Sequence, residues 1–173
     1  MNLIIRPESE KDYSQIKNIN DNAFGQENEG ILIEKLRKNK NYVNAISLVA
    51  ETNDKVVGHI LFFPIQIINN ENSHESLALA PMAVLPAYQH KGIGSELVDS
   101  GLELARTRGY KSVIVLGHRD YYPKFGFEMA KNWNIKAPFE VPNENFMAIE
   151  LVENGLNYVS GTVKYPDEFT EVS

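Results

Sequence analysis

The chain has 173 residues, 43% of them hydrophobic, no cysteine and a formal net charge of −6. That length suits a single domain, residues 1–173, with a core that needs neither metal nor disulfide. The lack of cysteine excludes a disulfide framework, a thiolate metal site and an acyl-cysteine intermediate. The acidic balance argues against sequence-independent nucleic-acid binding, which is driven by basic surface, and leans toward cationic small substrates.

The N-terminal stretch MNLIIRPESEKDY has no basic region followed by a long apolar run, and nothing approaches the roughly eighteen consecutive apolar residues of a membrane span. The expectation is a cytoplasmic protein with no membrane or nucleic-acid partner. Leu3 to Arg6 reads as a short strand ended by Pro7. Ser9 is placed to cap a helix that carries Tyr13, Ile16, Ile19 and Ala23 inward, and Gly25 is placed to end it. A second helix is expected from Glu29 to Lys38, with Ile31, Leu32 and Leu36 apolar and its cations near the C-terminus. Ala45 to Glu51 and Val56 to Ile68 read as a hairpin about the turn Thr52-Asn53-Asp54-Lys55. His59 sits in the second of these strands, either as a base near neutrality or as a hydrogen-bonded structural group, and Pro64 marks a bend or an edge. Asn69 to Ser76 reads as a polar turn.

The stretch from Leu79 to Arg108 organises the rest. Leu77, Leu79, Met82 and Val84 suit a buried strand distorted by Pro81 and Pro86, and a helix opens near Gly92 with Ile93, Leu97, Val98, Gly101, Leu102 and Ala105 on one face. Between them lies Gln89-His90-Lys91-Gly92-Ile93-Gly94. A helix N-terminus presents unpaired amides and partial positive charge. The glycines remove the Cβ atoms that would hold a phosphate away, and Lys91 adds a cation. The plainer alternative is a turn that only starts a helix. A Walker loop is excluded because Ser95 and Glu96 follow Gly94, and the dinucleotide fingerprint is excluded by Leu97. Lys111 to Leu116 then suits a buried parallel strand, giving a strand-helix-strand crossover. Divergence of the two parallel strands would leave backbone groups of Met82, Ala83 and Val84 for an extended, amide-bearing ligand. Trp133 to Pro142 reads as a loop. Phe146 to Val152 and Tyr158 to Lys164 read as antiparallel strands, the last an exposed edge able to pair in a homodimer.

The run Val84-Leu-Pro-Ala-Tyr-Gln-His-Lys-Gly-Ile-Gly94 resembles the acyl-CoA signature of the GNAT superfamily of N-acetyltransferases, Gln/Arg-x-x-Gly-x-Gly/Ala. Tyr122, four residues before Gly126-Phe127, resembles that family's second landmark. The segment from Val115 to Phe127, with Ser160 to Pro166, is similar to the YhbS-like branch. The resemblance implies an α/β (α+β) fold with a single mixed, mostly antiparallel sheet around a central parallel strand-helix-strand unit. It also implies an acetyl-CoA-dependent enzyme that acetylates a small-molecule or protein amine. The diphosphate would lie on the segment Gln89, His90, Lys91, Gly92, Ile93, Gly94 and Ser95. The pantetheine arm would lie along Met82, Ala83 and Val84, and Tyr122 would protonate the departing thiolate. In the resembled family the helix pair borders the acceptor cleft, which brings in Glu27, Glu29 and Glu34. Many members carry Asn where this chain has Val115, so Gly117 or His118 is the expected replacement contact. The rival reading is a domain of the same fold that senses acyl-CoA without catalysis. No metal is expected.

Overall fold

The computed structural model describes residues 1–171. In chain order the elements are β1 (Leu3–Pro7), α1 (Tyr13–Phe24), α2 (Asn28–Arg37), β2 (Ser47–Thr52), β3 (Lys55–Asn69), β4 (Asn72–Val84), α3 (Ile93–Thr107) and β5 (Ser112–Leu116). There follow β6 (Glu128–Met129), β7 (Ile135–Lys136), β8 (Phe146–Glu150), β9 (Gly161–Lys164) and the short α4 (Glu168–Glu171). Strands pair in the order β1-β2-β3-β4-β5-β8-β6, and β9 pairs with both β3 and β7. This is the mixed, mostly antiparallel sheet that the sequence implied. Among the described residues no helix is long and apolar enough to cross a membrane.

Two compact units divide the chain. The first holds residues 1–63, 80–104 and the segment from Asp167. Here β1 and β2 are antiparallel, with Leu3 opposite Thr52, and β2 pairs with β3 across a two-residue turn. Asn53 and Asp54 both have positive φ, which Asn and Asp tolerate and a tight hairpin requires. Ser9 precedes a single 3-10 turn, Glu10–Asp12, from which α1 continues. The Ser9 amide donates to Asp12 Oδ2 at 2.8 Å, and Arg6 holds the same carboxylate at 2.7 Å. Gly25 ends α1 at φ 67°. Ile16, Ile19, Leu32, Ile33 and Leu36 from the two helices join Val49, Leu61 and Phe63 in one core cluster.

The helix that follows the glycine loop is anchored in this unit by two glycines. A Cβ at Gly58 would stand 3.1 Å from Leu97 and 3.3 Å from Ile93, so β3 takes α3 closely at that point. At Gly101 the Phe62 ring occupies the space that a side chain would need. Exchanging a helical glycine for alanine ordinarily adds about 1 kcal/mol of stability. Phe62 is fully buried and has no room to retreat, so Gly101→Ala is expected to lose about 1–3 kcal/mol by overpacking. A lower urea midpoint would show this; an unchanged or raised midpoint would contradict it.

The second unit holds residues 64–79 and 105–166. Within it β4 runs parallel to β5, with Leu77 opposite Val113 and Ala78 opposite Ile114, and a buried hydrogen bond of 2.7 Å joins Ser76 and Ser112. β8 is antiparallel to β5, and Leu116 lies opposite Phe146. Ile65, Ile67, Ala78, Ile114, Phe146, Ala148 and Val163 form its core.

Four expectations are corrected here. Asn69 to Ser76 is not all turn: β3 extends to Asn69 and β4 begins at Asn72, with Asn70 at positive φ between them. The segment Trp133 to Pro142 contains strand β7. The two late strands do not pair with each other, because β8 lies between β5 and β6 whereas β9 lies between β3 and β7. β9 therefore has partners on both sides and is not the exposed edge expected near the C-terminus.

Candidate functional site

In the first unit β4 leads directly into the glycine loop. Met82 is half-buried, while Ala83 and Val84 are buried; Ala83 belongs to the core cluster. The chain leaves the strand at Leu85, whose amide donates to the Val57 carbonyl at 2.9 Å, and passes through the 3-10 turn Pro86–Tyr88. Gln89 then folds back. Its side-chain Nε2 donates to the Val84 carbonyl at 3.0 Å, tying the loop to the end of the strand. The motif glutamine thus has a positioning task within the loop.

His90 and Gly92 take φ values of 63° and 82°, so left-handed residues flank Lys91. Alternating backbone of this kind turns successive amides toward one concavity, the geometry of an anion nest. α3 begins at Ile93, which is buried, and Glu96 N–H donates to the Gly92 carbonyl at 3.1 Å. As a rule the first amides of an α-helix point out of its N-terminal end, toward where an anion can lie. A Cβ at Gly92 would meet nothing within 4 Å, so this glycine answers to backbone conformation and leaves open space above the loop. Lys91 Nζ lies 5.7 Å from the centre of the Tyr88 ring, and Lys55 Nζ lies 5.6 Å from the same ring. Sequence reasoning missed Lys55, which carries no motif and reaches the loop only because the β2–β3 hairpin turns at Asn53-Asp54.

Tyr122, Gly117 and His118 lie in the second unit. Tyr122 opens the 3-10 turn Tyr122–Phe125 and is buried against Phe127, with ring centres 5.6 Å apart, and against Tyr121 at 5.0 Å. Burial, with a smaller contribution from Tyr121, pushes its phenol up to about 12. The ring covers Gly117, where a Cβ would collide with it. Gly117 N–H donates to the Asn145 carbonyl at 2.9 Å, and Asn145 Nδ2 donates back to the Gly117 carbonyl at 3.0 Å. Asn145 was not foreseen; no short-range pattern connects it with residue 117. Val115 is buried opposite Met147, a place for an apolar side chain. His118 is exposed, and its carbonyl accepts from the Tyr122 amide at 3.3 Å. Lys124 Nζ sits 4.1 Å from the Tyr121 ring centre.

His59 belongs to a different cluster of the first unit. It is fully buried, and its Nε2 lies 3.2 Å from Glu8 Oε1 and 3.0 Å from Ser47 Oγ. The Ser47 hydroxyl also bonds Glu8, and Arg37 Nε donates to Glu8 Oε2 at 2.7 Å while stacking on Tyr13. Burial pushes the imidazole below its ordinary value despite Glu8. Burial would raise the Glu8 carboxyl, but the hydrogen bonds from His59 and Ser47, with the Arg37 charge, hold it below the carboxylate range. These are the features of a structural histidine. Glu27 is exposed and Glu29 half-buried, and both are engaged locally, with Lys17 at 3.4 Å and Gln26 at 3.1 Å respectively.

Both shifts make the fold sensitive to acid. The unfolded chain takes up a proton on His59 below about pH 6.5 while the folded chain resists it, so stability falls as pH drops through that range. Glu8 adds a second loss below about pH 4.5, as its folded carboxylate is forced to protonate. Urea midpoints measured from pH 8 to 4 should decline in these two windows, and His59→Gln should flatten the first. A decline of equal slope in that variant would contradict the assignment.

Residues 4–130 match the family described as acetyltransferase (GNAT) domain. Among curated proteins the chain is similar to the uncharacterized N-acetyltransferase YjhQ of Escherichia coli K12, 38% identical over 135 residues, 78% of this chain and 75% of YjhQ. It is also similar to YhbS of the same strain, 26% identical over 96% of this chain and 98% of YhbS. The crystal structure of E. coli YhbS in complex with CoA superposes with a TM-score of 0.91 at 27% identity, over 98% of this chain and 93% of that one. A GNAT family acetyltransferase from Brucella melitensis in complex with acetyl-CoA gives 0.79 at 30% identity, over 97% and 98%.

Proposed function

Because the chain belongs to the GNAT acetyltransferase family, we propose that it moves an acetyl group from acetyl-CoA to an amine by direct attack within a ternary complex. The observation that carries this reading is the loop Gln89 to Ser95, with two left-handed residues, a helix opening above it and Lys91 and Lys55 gathered at Tyr88. Diphosphate would rest on the amides of His90 to Ser95, which cost no reorganisation to present. The pantetheine arm would pair with backbone groups of Met82, Ala83 and Val84, and an amide near Ala83 or Val84 would hold the oxyanion of the tetrahedral intermediate.

With no cysteine in the chain, an acyl-cysteine relay is excluded, and in the proposed reaction the amine itself attacks the thioester carbonyl. A carbon–nitrogen bond forms, the carbon–sulfur bond breaks, the amine gives up a proton and the sulfur takes one. A lysine-like amine with a pKa near 10.4 is only about one part in a thousand neutral at pH 7.4, so the reaction draws on that small fraction. His59 is fully buried and already hydrogen-bonded, so the amine proton is assigned to water. Tyr122 is the proposed donor to the sulfur. Gly117, in this account, supports the Tyr122 ring, because its own amide is taken by Asn145.

Release of free thiol from acetyl-CoA, followed with a panel of amines and matched by acetylated product in mass spectra, tests the proposal. One thiol per acetylated amine supports it. Acetyl-CoA that binds but is never consumed would identify a sensor and overturn the catalytic reading.

A further inference from the structure

Two lysines stand by the start of α3, where the partial positive charge of a helix N-terminus disfavours cations. Lys91 belongs to the glycine loop. Lys55 is the first residue of β3, and a bulge aims it there. Ala50 lies opposite Gly58 but Glu51 opposite Val56, leaving Val57 with no residue opposite it on β2. Residues two apart on a regular strand share a face. Here Gly58 faces Ile93 and Leu97 of α3, while Val56 belongs to the core cluster of α1 and α2. The extra residue switches the alternation, so Lys55 falls on the side of Gly58 and α3. The Val57 carbonyl, accepting from the Leu85 amide at 2.9 Å, ties the bulge to the exit of β4. Lys55 and Lys91 thus bring their ammonium groups to 5.6 and 5.7 Å from the centre of one ring, that of half-buried Tyr88. Among the described residues neither lysine forms an ion pair, and the exposed carboxylates nearest to them in sequence, Asp54 and Glu96, pair with neither. In a chain of net charge −6, this local excess of cation is left for an anion to balance.

Resting on the reading of the loop as the seat of the acetyl-CoA diphosphate, we propose that Lys55 binds the 3′-phosphate of coenzyme A and selects donors that carry it. Lys91, inside the loop, serves the diphosphate, and a second ammonium from outside the loop calls for a second anion. The adenine is uncharged, so that anion is the 3′-phosphate. It stands one ribose away from the diphosphate, a separation that a lysine side chain spans. With a second pKa of about 6 it carries about 1.5 to 2 negative charges at neutral pH. The donor is then free acetyl-CoA. An acetyl group on dephospho-CoA, or on the phosphopantetheine of a carrier protein, lacks the anion that Lys55 would hold.

Calorimetric titration of the full chain with acetyl-CoA and with acetyl-dephospho-CoA, which differs only in that phosphate, tests the assignment. The wild-type protein should bind acetyl-CoA about tenfold more tightly, the scale of one charge-assisted hydrogen bond at an exposed site. Lys55→Met should abolish that preference by weakening acetyl-CoA alone. Lys55→Arg should keep it, and Lys91→Met should weaken both ligands. Thermal melting of each variant separates lost binding from lost fold. A wild-type protein that binds neither ligand would sink the acetyl-donor reading and this inference with it. Equal binding of the two by the wild-type protein would overturn the inference and leave that reading standing. So would a Lys55→Met variant that weakens both ligands alike, or neither.

Discussion

Tyr122→Phe is expected to lower kcat about a hundredfold while leaving acetyl-CoA affinity within about twofold. The substitution removes one oxygen and keeps the ring that packs on Gly117 and Phe127, so the fold should be unchanged. What is lost is the proton donor to the departing thiolate, and a positioned acid typically contributes 10²–10⁴ in rate. The phenol is pushed up to about 12 by burial, so it stays protonated across the whole working range. Ionisation of Tyr122 should therefore cause no decline in rate below about pH 11. The wild-type rate should instead rise with pH until the acceptor amine is neutral. A variant that keeps its turnover, or a wild-type alkaline decline near pH 10 that disappears in the variant, would show that Tyr122 is not the donor in the state described.

The second large effect belongs to Gly92. Its φ of 82° lies where a side chain costs about 1–2 kcal/mol, yet a Cβ there would touch nothing. Gly92→Ala thus isolates the backbone cost, and Gly92→Glu adds a carboxylate where the diphosphate should lie. Like charges brought together at an interface cost several kcal/mol, so Gly92→Glu should bind acetyl-CoA at least about a hundredfold more weakly than Gly92→Ala. Thermal melting of both variants separates loss of binding from loss of fold. Equal affinity in the two would place the diphosphate elsewhere.

These two residues were legible in the sequence because each belongs to a short, ordered pattern. The loop needs Gly92 within a few residues of Gln89 and Gly94, and Tyr122 stands a fixed distance before Gly126-Phe127. The first hairpin was legible for the same reason, since Asn53-Asp54 separates two runs rich in β-branched and apolar residues. Where structure depends on partners far apart in the chain, the sequence was silent. Glu8, Arg37, Ser47 and His59 converge through β1, α2, β2 and β3, and nothing local to any of them announces it. The polar residues from Asn72 to Glu75 hide the start of β4, because strand propensity reflects packing and this end of the strand is exposed. β7 is two residues long and exists only because β9 pairs with it. Asn145 escaped notice because its tie to Gly117 spans the chain from β5 to the start of β8.

The most direct test of the account is a calorimetric titration of the wild-type protein with acetyl-CoA. Saturable binding of one equivalent is expected, at micromolar affinity in keeping with ordinary enzyme KM values of about 1 μM to 1 mM. Absence of saturable heat at millimolar ligand would contradict it and leave the loop at Gly92 without its proposed ligand.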